Sequence, residues 1–263
     1  MAHIPRKRFG QNFLQDQGVI AGIINAVDPQ KDDAVVEIGP GLAALTTPLL
    51  ACVPQLHVVE IDRDIVKHLS QIYPPERLVI HNFDALNFDF GALAREIAPG
   101  RRIKLVGNLP YNISTPLLFH LASFGDVIYD MHFMLQKEVV ERMIANPSTT
   151  DYGRLSIMLQ YRYLMDHILD VPPESFDPPP KVDSAVVRMV PYDVLPYPAK
   201  NEAHLQKLVL AAFAQRRKTL RNNLKGIASD AVLAELGIDP SCRPENVSVA
   251  QYVALSNALA QTD

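Results

Sequence analysis

The stretch Ala34-Val35-Val36-Glu37-Ile38-Gly39-Pro40-Gly41-Leu42-Ala43-Ala44 runs an apolar strand into two glycines and then into residues with helical spacing. A strand, a glycine turn and a helix in that order let backbone approach a nucleotide-like ligand. Glu60 ends the next apolar run, about 20 residues on, where a carboxylate can accept both ribose hydroxyls. Two ligand classes fit this pattern. Gly39-x-Gly41-x-x-Ala44 with its spaced acid matches a dinucleotide-binding fingerprint. Glu37, just ahead of the first glycine, favours S-adenosylmethionine instead, whose sulfonium is cationic and which has no pyrophosphate needing a helix N-terminus.

Outward from this turn, strand-like runs at residues 34–38, 56–61, 78–80, 103–106 and 131–135 alternate with helical patterns at 43–50, 64–71, 116–124 and 137–145. That is the βαβ rhythm of an α/β sheet. Ser114-Thr115-Pro116 suits the cap and first turn of the third helix. Asp62 and Asp64 suit the first turn of the helix after Glu60. Residues 155–170 and 184–190 are expected to pair as the strands that close the sheet. The proline-rich segment between them, 172–181, reads as a loop. A second proline-containing stretch at 191–198 precedes a purely helical remainder. The expected division is therefore a catalytic α/β domain over residues 1–192 and a small all-helical domain over residues 193–263.

The chain of 263 residues is 48% hydrophobic, and none of its apolar runs approaches the length of roughly 20 residues needed to cross a bilayer. The basic start is interrupted by Gln11, Asn12, Gln15 and Asp16, unlike the core of a signal peptide, so a cytoplasmic protein is expected. Cys52 and Cys242 lie far apart and outside metal-type spacing, which supports neither a disulfide framework nor a zinc site. The net charge of −4 hides an uneven distribution. Residues 203–229 contain no acid but hold Lys207, Arg216, Arg217, Lys218, Arg221 and Lys225. On one continuous helix, Arg217, Lys218, Arg221 and Lys225 would share an arc of about 100°, beside an apolar arc of Leu205, Val209, Phe213, Leu220 and Leu224. Such a stripe suits phosphate contacts. Arg216 would project into the apolar arc and is expected to be partly buried and paired.

Asn108-Leu109-Pro110-Tyr111 follows the apolar run at 103–106, at a strand end where open α/β sheets keep their active sites. An adenine N6 amine is a poor nucleophile because its lone pair is delocalised into the ring. Two acceptors aimed at its two hydrogens favour the pyramidal, reactive form. Asn108 offers its side-chain carbonyl. The Leu109 carbonyl offers a second, extended because a residue before proline is pushed out of the α region. Pro110 removes a competing donor. Tyr111 supplies a ring on which an extruded base can stack, a contact of about 1 to 3 kcal/mol. Rate would come from alignment of nitrogen, methyl and departing sulfur. This chemistry calls for neither a metal nor a covalent intermediate. Asp84, after the third strand, is either a helix N-cap or an acceptor for the exocyclic amine of a bound adenine.

With these motifs assembled, the chain resembles the rRNA adenine N6,N6-dimethyltransferases, the KsgA and Erm family, over nearly its whole length. Phe9-Gly10-Gln11-Asn12-Phe13-Leu14 resembles the N-terminal signature, which implies Asn12 and Leu14 against the methionine part of S-adenosylmethionine. The resemblance implies Gly39 and Gly41 as the cofactor loop, Glu60 as ribose ligand and Asp84 as adenine ligand. It implies Asn108, Leu109, Pro110 and Tyr111 as the target clamp, with Asn108 touching the cofactor side too. The segments at 176–187 and 213–224 are similar to the KsgA branch rather than to the resistance methylases. That implies dimethylation of two adjacent adenines near the 3′ end of 16S rRNA, late in small-subunit assembly, by a protein expected to be monomeric. Lys181 joins the cationic RNA-binding set. Phe176 either stacks on the target base opposite Tyr111 or anchors its loop in the core. Ala43, where many members have glycine, and Phe83, where glycine is common, depart from the pattern and are expected to alter packing at most.

Two other classes stay open on the sequence. A non-catalytic assembly factor would use the cofactor pocket as a checkpoint. A nicotinamide-dependent oxidoreductase would follow from the glycine fingerprint alone.

Overall fold

The computed structural model describes residues 12–215 and 217–260. The expectations for Phe9, Gly10, Gln11 and Arg216 fall outside these residues. In chain order the elements are β1 (Phe13–Leu14), α1 (Gln17–Val27), β2 (Val35–Ile38), α2 (Thr46–Cys52), β3 (Leu56–Val59), α3 (Arg63–Ile72), β4 (Leu78–His81), α4 (Phe90–Ile97), β5 (Ile103–Asn108), α5 (Ser114–Leu121), β6 (Ile128–Gln136), α6 (Lys137–Ile144), α7 (Arg154–Gln160), β7 (Tyr163–Val171), β8 (Phe176–Asp177), β9 (Ser184–Pro191), α8 (Glu202–Ala212), α9 (Leu220–Asn223), α10 (Asp230–Glu235) and α11 (Val249–Leu259).

Seven strands form one sheet in the order β4-β3-β2-β5-β6-β9-β7. The β2–β3, β3–β4, β2–β5 and β5–β6 pairs are parallel and β9 is antiparallel to β6. The parallel strands are covered on both faces, so β2 and β3 are buried along their whole length and β5 up to Gly107. From β2 the chain first builds outward through β3 and β4, then returns to the other side of β2 with β5 and β6. This reversal opens a crevice beyond the C-terminal ends of β2 and β5, where open α/β sheets bind ligands. The glycine turn leaves β2 at that point and the Asn108 segment leaves β5 beside it.

Two expectations about elements are corrected. Residues 155–160 form a helix, not a strand. A short, mostly apolar run does not choose between the two by period, and polar contacts decide here. The Gly153 amide donates to Ser156 Oγ at 3.0 Å, and Gln160 Nε2 donates to the Met143 and Ala145 carbonyls at 2.9 and 2.8 Å. The strand begins only at Tyr163, and β9 lies between β6 and β7. The expected continuous helix beyond residue 212 is also interrupted. α8 ends at Ala212 and α9 begins at Leu220, whose amide donates to the Cys242 carbonyl at 2.7 Å while that of Arg221 donates to Pro240 at 3.1 Å. Those tertiary backbone bonds replace the ones a continuing helix would make.

Backbone contacts divide the chain into one unit of Met1–Val140 with Leu164–Pro191 and a second of Glu141–Tyr163 with Tyr192–Asp263. The helical unit thus includes residues 141–163, placed in the first domain by the sequence. The reason lies within that unit. Arg162 is ion-paired to Glu202 at the start of α8, and Tyr161 donates to the same carboxylate at 3.2 Å. Its core comprises Leu205, Leu208, Val209, Leu220, Leu233 and Tyr252, all buried. Among the described residues no helix is long and apolar enough to cross a membrane.

Candidate active site

The first unit carries a cleft lined by Asn12, Gly39, Gly41, Glu60, Asp84 and the run 108–111. An adjoining pocket shares Phe13, Gly39, Gly41 and Asn108 with it and adds Leu14 and Glu37. The residues proposed from sequence for cofactor and target base, far apart in the chain, are thus brought to one place. Asn12 and Leu14 come with β1, and the others from the ends of β2, β3, β4 and β5.

The glycine turn is held by backbone geometry. Gly39 and Gly41 have φ of +69° and +52°, a region costly for side-chain-bearing residues, and a Cβ on Gly41 would meet the Phe13 ring at 3.2 Å. The two glycines therefore line the cleft without side chains of their own, with the Phe13 ring beside Gly41. Ala43 also has positive φ, +71°, so its departure from the family pattern places an alanine in the left-handed region rather than only altering packing. On β5, a Cβ on Gly107 would lie 2.4 Å from the Ile38 carbonyl oxygen. Only glycine lets β5 approach β2 this closely and bring Asn108 beside the turn.

Asn108 Nδ2 donates to the Asn12 carbonyl at 3.1 Å. Because that partner is an acceptor, the amide orientation is fixed, and Oδ1 is the end left over. The Leu109 amide donates to Met134 at 3.1 Å, Ile113 N donates to the Pro110 carbonyl at 3.1 Å, and Ser114 Oγ donates to the Tyr111 carbonyl at 3.1 Å. Among the described residues, neither Asn108 Oδ1 nor the Leu109 carbonyl accepts a hydrogen bond. Ser114 is the first residue of α5 rather than its cap, since Ile113 holds the cap position without a side-chain bond. Tyr111 is half-buried, its hydroxyl 2.6 Å from Ser184 Oγ on β9, which fixes the ring. Burial raises its pKa, with the Ser184 contact opposing.

Two acids lie close to the turn. Glu60 is 7% exposed and accepts from the Asp62 amide at 2.7 Å. Burial pushes its carboxyl up to about 7, against that donation. Glu37 is 1% exposed and accepts from Thr46 Oγ1 at 2.6 Å; burial pushes it up to about 8, with Thr46 opposing and Glu60 adding to the rise. Asp84 Oδ1 accepts from Leu86 N at 3.0 Å, so it does cap the short helical turn Ala85–Asn87 while lining the cleft. Asp62 is the N-cap of α3, with Asp64 in its first turn.

Several expectations are revised. Phe176 is 4% exposed, pairs with Leu14 across the β1–β8 ribbon, belongs to the hydrophobic core and does not line the cleft. The loop-anchor alternative fits, because main-chain pairing turns its ring inward. Leu14 lines only the adjoining pocket. Lys181, Arg217, Lys218, Arg221 and Lys225 are exposed, but the last four do not share one helix, and Arg221 Nε already pairs with Asp230 at 3.0 Å. Reasoning from sequence missed Ile61, Phe83 and Ile113 in the cleft wall and Ser184 behind Tyr111. Phe83 was visible as an aromatic at a strand end; Ser184 had no local signal. Among the described residues no group of three or more His, Cys, Asp or Glu side chains could hold a metal ion.

Comparison with known proteins agrees with this geometry. The family model described as ribosomal RNA adenine dimethylase matches residues 2–261. A ribosomal RNA small subunit methyltransferase A of Laribacter hongkongensis (strain HLHK9) is 66% identical over 255 residues, 97% of this chain and 96% of that one. Its counterpart from Dechloromonas aromatica (strain RCB) is 60% identical, over 98% and 99%. A dimethyladenosine transferase from Plasmodium falciparum superposes with a TM-score of 0.76 at 26% identity, covering 92% of this chain and 95% of that one. The 23S rRNA methyltransferase ErmE shares the fold, with a TM-score of 0.72 at 24% identity over 95% and 100%. With cleft, glycine turn and full-length match in agreement, the chain belongs to the ribosomal RNA adenine dimethylase family.

Proposed function

We propose that this protein transfers methyl groups from S-adenosylmethionine to the N6 atoms of two adjacent adenines near the 3′ end of 16S rRNA. It does so as a cytoplasmic monomer, on the immature small subunit late in assembly. The fold and family support S-adenosylmethionine as donor. The observation that carries the reading is the Asn108 amide: its nitrogen is tied to Asn12, which leaves its oxygen and the Leu109 carbonyl as two acceptors in the cleft that holds the glycine turn.

The residues present fit the donor. Positive-φ glycines leave bare backbone for its amino-acid arm, the buried Glu60 carboxylate suits ribose hydroxyls, and Asp84 suits an exocyclic amine. Bound there, the donor supplies a methyl carbon made electrophilic by a positively charged sulfur. In the first transfer Asn108 and Leu109 draw the two N6 hydrogens of the target adenine out of the ring plane and return the lone pair to nitrogen; in the second, the monomethylated amine has one hydrogen left to offer the pair. Tyr111, fixed by Ser184, holds the base by stacking. Holding nitrogen and methyl in line supplies most of the rate. The amine, made acidic by its new methyl group, gives its excess proton to solvent water, so a strong base is not needed.

For RNA, Lys181, Arg217, Lys218 and Lys225 supply exposed positive charge toward phosphates. Arg221 contributes less, because contact with phosphate would have to displace Asp230. The test is labelled S-adenosylmethionine with undermethylated small subunits, followed by mapping of the modified nucleotides. Asn108→Ala should lower transfer by about 100-fold or more while particle binding persists. Transfer at the parental rate would refute the clamp.

A further inference from the structure

We propose that Phe83 is the platform on which the purine ring of the methyl donor stacks, and that it sets the site's preference for a nucleoside; this rests on the donor reading above. Phe83 lines the cleft beside Glu60, Ile61, Asp84 and Ala85, and its side chain is half open to solvent at 51% exposure. Its position is rigid. The Phe83 amide lies within hydrogen-bonding distance of two carbonyls, Glu60 at 3.1 Å and His81 at 2.9 Å, which fixes the backbone where the ends of β3 and β4 meet. The ring leans on Phe88, with centroids 6.0 Å apart and planes at 64°. Phe88 in turn meets Phe90 at 5.0 Å, and Phe90 meets Phe124 at 5.9 Å. Phe83 is the cleft-side end of a row of rings that continues into the buried Phe90.

An apolar wall next to a small number of acceptors is how small-molecule sites usually divide affinity from orientation. Here Phe83 is the wall, and Glu60 and Asp84 are the acceptors. Sheet order separates this platform from the one at Tyr111. Phe83 follows β4 and Tyr111 follows β5, three strand spacings away in the order β4-β3-β2-β5, roughly 14 Å. The glycine turn after β2 stands between them. A donor with its purine at Phe83 would lie across the turn with its sulfur end toward Asn108, leaving Tyr111 for the target base. Two aromatic platforms in one cleft would thereby hold two adenines, one from each substrate.

The test is calorimetric titration of the full chain with S-adenosylmethionine, S-adenosylhomocysteine and adenosine, for the parent, Phe83→Ala, Phe83→Leu and Phe83→Tyr. Phe83→Ala should weaken all three ligands by about tenfold, because all three share the ring. Phe83→Leu keeps the packing on Phe88 but should lose part of the same affinity, while Phe83→Tyr keeps a π face and should stay within about twofold of the parent. In turnover, the KM for donor should rise with kcat nearly constant. Parental affinities in Phe83→Ala, or a loss for S-adenosylmethionine that adenosine does not share, would overturn the platform. A parent that binds adenosine but neither donor nor product would overturn the donor reading instead, and this inference with it.

Discussion

Donor binding should be linked to a proton through Glu60. With its carboxyl near 7 in the free protein, about nine in ten molecules hold the proton at pH 6 and about one in ten at pH 8. Ribose hydroxyls donate to a carboxylate and gain less from the acid, so binding favours the ionised form. At pH 6 binding must therefore expel a proton, and at pH 8 it need not. Affinity rises with pH through about 7 and levels off above 8. The expected ratio of dissociation constants between pH 6 and pH 8 is about tenfold, corresponding to about 1.4 kcal/mol. Calorimetry in two buffers of different ionisation enthalpy reads both the affinity and the proton release. Glu60→Gln should bind more weakly at every pH and lose the pH dependence. A flat profile in the parent would refute the linkage. Persistence of the slope in Glu60→Gln would move it to Glu37.

Three other outcomes are expected. Glu37 near 8 means the folded state holds a proton that the unfolded chain releases above about 4.5, so stability falls as pH rises through that window, by about 3 kcal/mol at pH 7; Glu37→Gln should recover about 1 to 3 kcal/mol in denaturant unfolding at pH 7 and nothing at pH 4, and equal effects at both would contradict the burial account. Gly107→Ala should cost about 2 kcal/mol or more, because its Cβ would collide with the Ile38 carbonyl at 2.4 Å and part β5 from β2; unchanged thermal unfolding would show that the strands are not so close. Arg217→Glu with Lys218→Glu should weaken RNA binding across sequences and lower the salt slope by about 2, and an unchanged slope would reject phosphate contacts there.

The sheet was legible because a strand, a glycine turn and a helix recur at lengths that a parallel α/β fold requires. The cleft was legible because its polar members, from Gly39 to Tyr111, all sit at strand ends. What escaped was decided by contacts between distant residues. Residues 155–160 are apolar except for Ser156 and Gln160, and those two, reaching backbone elsewhere, hold them as a helix. α9 starts afresh at Leu220 because the loop at 240–242 captures the amides of Leu220 and Arg221. Phe176 reads equally well as a platform or an anchor until Leu14 pairs with it. The same holds for Asn108, whose orientation depends on a carbonyl 96 positions earlier in the chain.

Taken together, the glycine turn and its two acids break local rules in one small region. Ala43 is held at positive φ, Glu37 and Glu60 are buried beside each other, and Asn108 and Leu109 leave acceptors unused. The positive-φ alanine and the two buried acids each lower the stability of the free protein, by about 1 to 3 kcal/mol apiece. In the proposed donor complex, ribose hydroxyls would add donors to Glu60 beside the Asp62 amide, and the cationic sulfur would offset charge on the acids. Binding energy gained this way stabilises the folded state by mass action. On the proposed reading, the instability is concentrated where the donor would supply partners, and discrimination would follow from it: a ligand without those hydroxyls, or without that charge, would leave the buried acids as they were.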